Sequence, residues 1–307
     1  ESILKLLDSK IKVIPILDSE RALVDIVTPS NFPIVFEKRV FSQSTAPVRI
    51  SFAGGGSDLT HYFMSDVGSV LNATISLYAH ATLRPRDDRK VTISSLDLKD
   101  TIEASDLETF LACSDKFDLF RGLLQLIKPN FGFDLYVRCD FPQGSGLGGS
   151  SAVLAAILGC FNEFRSDKWN EYELAELAFQ SERIILDISG GWQDQYATIF
   201  GGINFIEFKN GDNLIHPLRL AEKTILNLEE SLVLYELNTG RNSGAIHDDQ
   251  KKVMQSQEIK KKVEINVKHC LEMRESLLRG NLDTFGKGLN IAWELKRQFS
   301  SKISSTV

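Results

Sequence analysis

Apolar positions along the chain recur at two periods, and the switch between them predicts an order of strands and helices. Alternation over Val48 to Ala53 and Phe133 to Phe141 predicts strands, as do the β-rich runs Ser69 to Arg84 and Lys90 to Ser94. Asp118 to Lys128 and Ser150 to Phe164 read as helices, and Ala152, Ala155 and Ala156 mean that the second must approach its neighbours closely. Glu171 to Ile188 reads as one amphipathic helix. Gly201-Gly202 leads into a strand, Ile203 to Phe208, which Asn210-Gly211-Asp212-Asn213 turns back as a hairpin. Further on, Leu232 to Leu237 reads as a strand and Ile246 to Leu278 as a long helix stopped by Gly280-Asn281. A last helix covers Leu282 to Phe299.

Three segments follow from this pattern. Residues 1 to 40 stand apart, with short strands Ile11 to Ile16 and Ala22 to Thr28 around Asp18-Ser19-Glu20. The stretch Lys12 to Asn31 resembles the closing hairpin of a CBS module, and a hairpin belonging to the main domain is the equal alternative. Residues 41–224 alternate strands with helices, and 225–307 form a further unit. The first residue is Glu1 rather than Met, so the chain is expected to be a piece of a longer protein.

Composition narrows the partners. A length of 307 residues, 43% hydrophobic and 25% charged, is that of an ordinary globular chain of about two domains. A net charge of −6 leaves no broad basic surface, so nucleic acid is not an expected partner. Cys113, Cys139, Cys160 and Cys270 have neither metal-site spacing nor the density of a disulfide scaffold, which fits a reducing, cytoplasmic setting. The apolar run Val153 to Phe161 is too short to span a bilayer, so no membrane is expected. Oligomeric state is not legible.

The most informative stretch is Pro142-Gln143-Gly144-Ser145-Gly146-Leu147-Gly148-Gly149-Ser150-Ser151-Ala152, between a strand and a helix. Glycines let backbone approach a ligand, and a helix start offers free N–H groups to phosphate. A Walker A loop needs lysine where Ser150 stands. Gly144, Gly146 and Gly149 match the dinucleotide fingerprint, but helical sequence replaces the second strand that motif needs. A purely structural reading, glycines for tight helix packing, also remains.

Two carboxylates stand out. At about 100° per residue, Glu182 falls within the apolar arc of its helix beside Ala178, Phe179, Ile185 and Leu186. A buried carboxylate needs a partner or a metal. It could be a magnesium ligand or half of a salt bridge. Asp194 follows Gly190-Gly191-Trp192-Gln193, placed as a general base or, more simply, as a helix cap.

Taken together, these stretches resemble the GHMP kinases. Ala46 to Leu59, including Gly54, Gly55, Gly56, Ser57 and Asp58, looks like the first family motif; Pro142 to Ala152 looks like the second; Gly191 to Gly202 looks like the block with the catalytic aspartate. The resemblance runs from about residue 41 to the C-terminus and implies an α+β, two-lobed fold. One lobe would be like ribosomal protein S5 domain 2 and the other ferredoxin-like but incomplete. It implies ATP and Mg2+. Pro142, Gly144, Ser145, Gly146, Leu147, Gly148, Gly149, Ser150 and Ser151 would bind ATP, and Ser150, Ser151 and Glu182 would hold the metal. Asp194 would take the proton of the attacking hydroxyl and Arg49 would neutralise phosphoryl charge. Gly54, Gly55, Gly56, Ser57, Asp58, Gly190, Gly191 and Asp194 would face a sugar, and Arg241 would hold a distal phosphate.

Within the family, the Phe52 to Leu59 and Gly190 to Tyr196 stretches resemble the branch that phosphorylates the anomeric hydroxyl of D-glycero-D-manno-heptose 7-phosphate. L-fucose kinases are the neighbouring alternative, and a non-catalytic sugar- or nucleotide-binding module is a third. The third family motif, a late glycine-rich loop, is missing: beyond Gly211 the glycines are isolated. The last strands of the second lobe are therefore expected to be lacking.

Overall fold

The structure is a computed structural model that describes residues 14–27, 40–210, 212–235, 256–299 and 303. The chain divides into two compact units, residues 1–39 and 40–307. In the first, β1 (Ile14–Leu17) pairs antiparallel with β2 (Leu23–Val27). The Asp18 carboxylate accepts the N–H groups of Glu20 and Ala22, closing the turn as an Asx residue does.

One long strand organises the second unit. β3 (Ser42–Ala53) runs antiparallel along one side of β4 (Gly68–Arg86) for nearly its whole length. The other side of β4 is shared: β8 (Ile203–Lys209) pairs with its first part and β7 (Gly132–Cys139) with its last. Outside β7 lie β5 (Val91–Ser95), the one parallel neighbour in this sheet, and β6 (Asp100–Ala104). β9 (Asp212–Pro217) flanks β8 as the expected hairpin. The first six residues of β4 are all buried, because layers cover both faces there: Val70 joins a cluster with Tyr62, Tyr196 and Phe208, and Leu71 one with Phe205, Met273 and Phe285.

Short α1 (Thr60–Phe63) follows β3. Between β6 and β7 come α2 (Leu107–Leu111) and α3 (Asp118–Ile127). The helix α4 (Gly149–Asn162) packs on β3 so tightly that a Cβ on Gly159 would stand 2.3 Å from Ser44 Oγ, as its small residues require. After α6 (Gln193–Phe200), the C-terminal part adds α7 (Glu222–Ser231), α8 (Gln257–Leu278) and α9 (Leu282–Lys296). Gly280, at φ 67°, ends α8, and the Asn281 side chain caps α9 through Thr284 N–H. Among the described residues no helix is long and apolar enough to cross a membrane.

The structure departs from the sequence expectations in four places. Residues 232–235 are irregular, since no described strand pairs with them. The long helix starts at Gln257 with Ser256 in extended geometry before it, and the earlier part of the expected helix lies outside the described residues. The strand β6 and the helix α2, which Asp106 caps through Thr109 N–H, carry patterns too short to read. Most consequentially, Glu171 to Ile188 is not one α-helix. α5 (Glu171–Phe179) widens into a π-helical turn over Gln180–Ile185. The wider turn shifts the faces: Glu182 stays buried as its place in the apolar arc requires, Ser181 is buried beside it, and Ile184 is 65% exposed, where a regular period would bury it.

Phe133 sits at the centre of the larger core, edge-on to Phe161 at 5.1 Å. Phe133→Ala is expected to lower unfolding free energy by about 3–5 kcal/mol. Urea unfolding with an unchanged m-value checks this, and a loss below about 1 kcal/mol would mean that the core lies elsewhere.

Candidate active site

The glycine stretch bridges the end of β7 and the start of α4. Gly144, Gly146 and Gly148 all hold φ near +75°, a left-handed geometry that side chains rarely adopt, so the bend stays open only as glycine. Pro142, Gly144, Ser145, Gly146, Gly148, Gly149 and Ser150 line a cleft of about 350 Å³. Leu147 is half-buried, and its carbonyl accepts the backbone N–H of Arg49, stitching the loop to β3.

Below this bend lies a buried carboxylate. Glu182 is 1% exposed, yet both of its oxygens are engaged. Ser150 Oγ donates to Oε1 at 2.5 Å, Ser151 Oγ to Oε2 at 2.6 Å and Gln195 Nε2 to Oε2 at 2.6 Å. Arg183 Nη1 stands 3.7 Å from Oε1. Three donors and a cation offset a desolvation cost of several kcal/mol. The two serines differ in setting: Ser150 is exposed to the cleft, and Ser151 is fully buried. The donor set, one carboxylate with hydroxyls beside a phosphate-shaped loop, suits a hard cation that takes oxygen ligands. Of these groups Glu182 and Ser150 line the cleft, and Ser151 donates to the carboxylate from the buried side.

Asp194 lies in the first turn of α6 and also lines the cleft. Arg49, from β3, donates to Asp194 Oδ1 from Nε at 2.8 Å and Nη2 at 2.7 Å, and from Nη1 to Gly146 O at 2.9 Å. One guanidinium thus joins the aspartate to the glycine loop in the planar fork geometry that arginine supplies.

The first glycine cluster forms the other wall. Gly54, Gly55, Gly56 and Ser57 are buried, and Ser57 Oγ donates to the carbonyls of Gly54 and Ser69. Asp58 does not cap α1; its side chain turns back into the fold. Oδ1 accepts Gly56 N–H at 2.8 Å, Oδ2 accepts Gln193 N–H at 3.3 Å, and its backbone carbonyl accepts Trp192 N–H. Asp58 therefore fastens the glycine turn to the start of α6, which carries Asp194. Gly190 abuts the Arg183 guanidinium, and its loop borders a second hollow of about 410 Å³ lined by Thr60, His61, Asp187 and Trp192. Arg241 lies outside the described residues.

Three side chains escaped the sequence reading. Gln195 completes the hold on Glu182, and its only signal was its place immediately after Asp194. Arg183 lines both hollows, brought inward by the π-turn. Lys296, at the end of α9, reaches the Gly55–Gly56 turn, a placement with no local sequence signal.

Residues 116–202 match the GHMP kinases N terminal domain. The chain is 36% identical over 269 residues to D-glycero-alpha-D-manno-heptose 7-phosphate kinase of Campylobacter jejuni, covering 86% of this chain and 79% of that protein. It is 25% identical to the L-fucokinase/L-fucose-1-P guanylyltransferase of Bacteroides fragilis over 83% of this chain, which is 30% of that longer protein. The solved D-glycero-D-manno-heptose 1-phosphate kinase of Bacteroides thetaiotaomicron superposes with a TM-score of 0.70 at 30% identity, covering 83% of this chain and 79% of the other. Galactokinase of Lactococcus lactis, solved with galactose, shares the fold with a TM-score of 0.64 at 18% identity, covering 87% of this chain and 77% of its own.

A Cβ on Gly191 would stand 1.9 Å from Asp58 Oδ2. Gly191→Ala is expected to cost about 1–3 kcal/mol of stability. In an Asp58→Ala background about half or more of that cost should vanish, read as coupling in a double-mutant cycle; equal costs in both backgrounds would refute the contact.

Proposed function

We propose, for a chain that belongs to the GHMP kinase family and is an ATP-dependent sugar kinase, that it phosphorylates a hydroxyl of a sugar phosphate. The best-supported acceptor is the anomeric hydroxyl of D-glycero-D-manno-heptose 7-phosphate. The observation that carries this reading is the Arg49 fork, which sets Asp194 at the mouth of the glycine loop. The relative at 36% identity, named for that heptose phosphate, supports the choice of sugar.

In this reading the backbone N–H groups from Gly144 to Ser150 take the triphosphate of ATP, and α4 presents its N-terminal dipole to it. Glu182 and Ser150 hold magnesium, which when bound draws charge from the phosphate oxygens. The acceptor sugar lies on the Asp58 and Gly191 side. Asp194 accepts the proton of the attacking hydroxyl as the bond to the γ-phosphorus forms and the bond to the β–γ bridging oxygen breaks. The departing ADP keeps that electron pair. Arg49 stays within reach of the same carboxylate and of the transferring group, so one cation both orients the base and offsets phosphoryl charge. The sugar-facing role of Asp58 is narrower than its place in the motif implied, since backbone N–H groups already engage both of its oxygens. The four cysteines are free, in keeping with a reducing, cytoplasmic setting.

Asp194→Asn is expected to reduce turnover by about 10²–10⁴-fold with ADP affinity nearly unchanged. Phosphorus NMR of ATP, magnesium and a panel containing the heptose 7-phosphate, L-fucose and galactose identifies the acceptor. Product from the fucose arm alone would transfer the reading to a fucose kinase, and no product from any arm would favour a binding module. The serines should separate in a second experiment. Ser150→Ala raises the magnesium concentration for half activation by about tenfold. Ser151→Ala mainly costs stability, about 1–3 kcal/mol, by leaving the buried Glu182 short of a donor. The reverse assignment would show Ser151 to be the ligand.

A further inference from the structure

Among the described residues, one ammonium without an assigned role stands at the wall of the candidate site. Lys296 ends α9, and its half-buried side chain crosses the glycine turn after β3. Its Nζ lies 3.3 Å from where a Cβ on Gly55 would be and 3.6 Å from the corresponding point on Gly56. The same missing Cβ of Gly55 would be 3.6 Å from Gln193 Nε2 and 3.6 Å from Ser51 Oγ, so the ammonium stands beside the loop that leads to Asp194. The Phe299 ring lies on its other side, 5.8 Å from Nζ to the centroid.

Among the described residues Lys296 makes no hydrogen bond or ion pair. The charges acting on it are Asp58, Asp194 and Arg49. Neither carboxylate is within hydrogen-bonding or ion-pair reach of the ammonium. Asp58 already accepts from Gly56 and Gln193, and Asp194 is held by Arg49. Burial pulls the lysine below its usual range, Arg49 adds to that, and the two carboxylates oppose it. An ammonium half removed from water, with three donors that neither carboxylate takes, is placed to meet a further anion. The geometry says on which side that anion arrives. Gly148, in the phosphate loop, abuts Arg49 and Asp194, whereas Lys296 abuts Gly55 and Gly56. The donor nucleotide therefore lies toward Arg49, and Lys296 stands toward the acceptor.

We propose that Lys296 binds the phosphate already carried by the acceptor sugar and so makes the site select phosphorylated over neutral sugars. This rests on the sugar-phosphate reading above and assigns it to a residue. Arg241, the candidate for that contact in the sequence, lies outside the described residues. The role is that of a compact point charge on a flexible stem reaching in from the C-terminal helices. It also gives a reason for glycine at two of the three positions: a Cβ on Gly55 or Gly56 would crowd the lysine, whereas Gly54 is required by the Ser69 carbonyl.

The test compares one sugar in two forms, D-glycero-D-manno-heptose 7-phosphate and the same heptose without phosphate, with ATP and magnesium. Wild-type protein should prefer the phosphorylated form in kcat/KM. In Lys296→Met the KM for the phosphorylated sugar should rise about 10- to 100-fold, the loss of one charge-assisted hydrogen bond. KM for ATP should stay nearly constant, the preference ratio should collapse, and Lys296→Arg should restore part of it. ADP binding by calorimetry verifies that each variant is folded. A wild-type protein that prefers the neutral sugar would sink the substrate reading itself. A wild-type preference that survives in Lys296→Met would sink the lysine assignment alone. A loss confined to kcat, with KM unchanged, would also overturn it, by placing the ammonium on the transferring phosphoryl group.

Discussion

The site depends on one requirement: a carboxylate out of reach of water must be met by donors on every side. Glu182 meets it with hydroxyls from the start of α4, an amide from α6 and the neighbouring Arg183. These groups belong to three elements that would otherwise have no reason to hold a fixed geometry. Satisfying one charge therefore sets the distance between the phosphate loop and the helix that carries Asp194. The π-helical turn keeps Glu182 on the inner face, buries Ser181 beside it and leaves Ile184 outside.

A second clasp works in parallel on the opposite wall. Asp58 ties the glycine turn after β3 to the loop before α6, and Arg49, from the same strand, ties α6 to the glycine loop. The two contacts share β3 as their base, and β3 is paired along β4 almost from end to end. Arg49 and the Asp58 turn are thus anchored on a paired strand, and the glycine bend is the part left open. That division suits phosphoryl transfer, in which positioning and electrostatics supply most of the rate.

The C-terminal helices bear on the site more directly than their sequence implies. α8 and α9 cover the sheet through Cys270, Met273, Phe285 and Ala292, and the end of α9 delivers Lys296 to the acceptor wall. Membership of the GHMP kinases accounts for the N-terminal motifs, whereas the chain spans 30% of the bifunctional fucokinase it also matches. The feature that would distinguish acceptors therefore lies in the part where the motifs give out.

Local pattern determined a great deal here. The alternation in β3 and β7, the small residues of α4 and the glycines of the bend before it are legible because each expresses a short-range rule of period, close approach or left-handed backbone. Glu182 was legible as an anomaly, a charge in an apolar arc, although the helix that carries it proved to change pitch. What the sequence could not show is who answers whom across the fold. The different settings of Ser150 and Ser151, the inward turn of Asp58, the amide of Gln195 and the arrival of Lys296 from the last helix appear only when distant segments are brought together. A charge states its need for a partner locally, but the partner is supplied by topology.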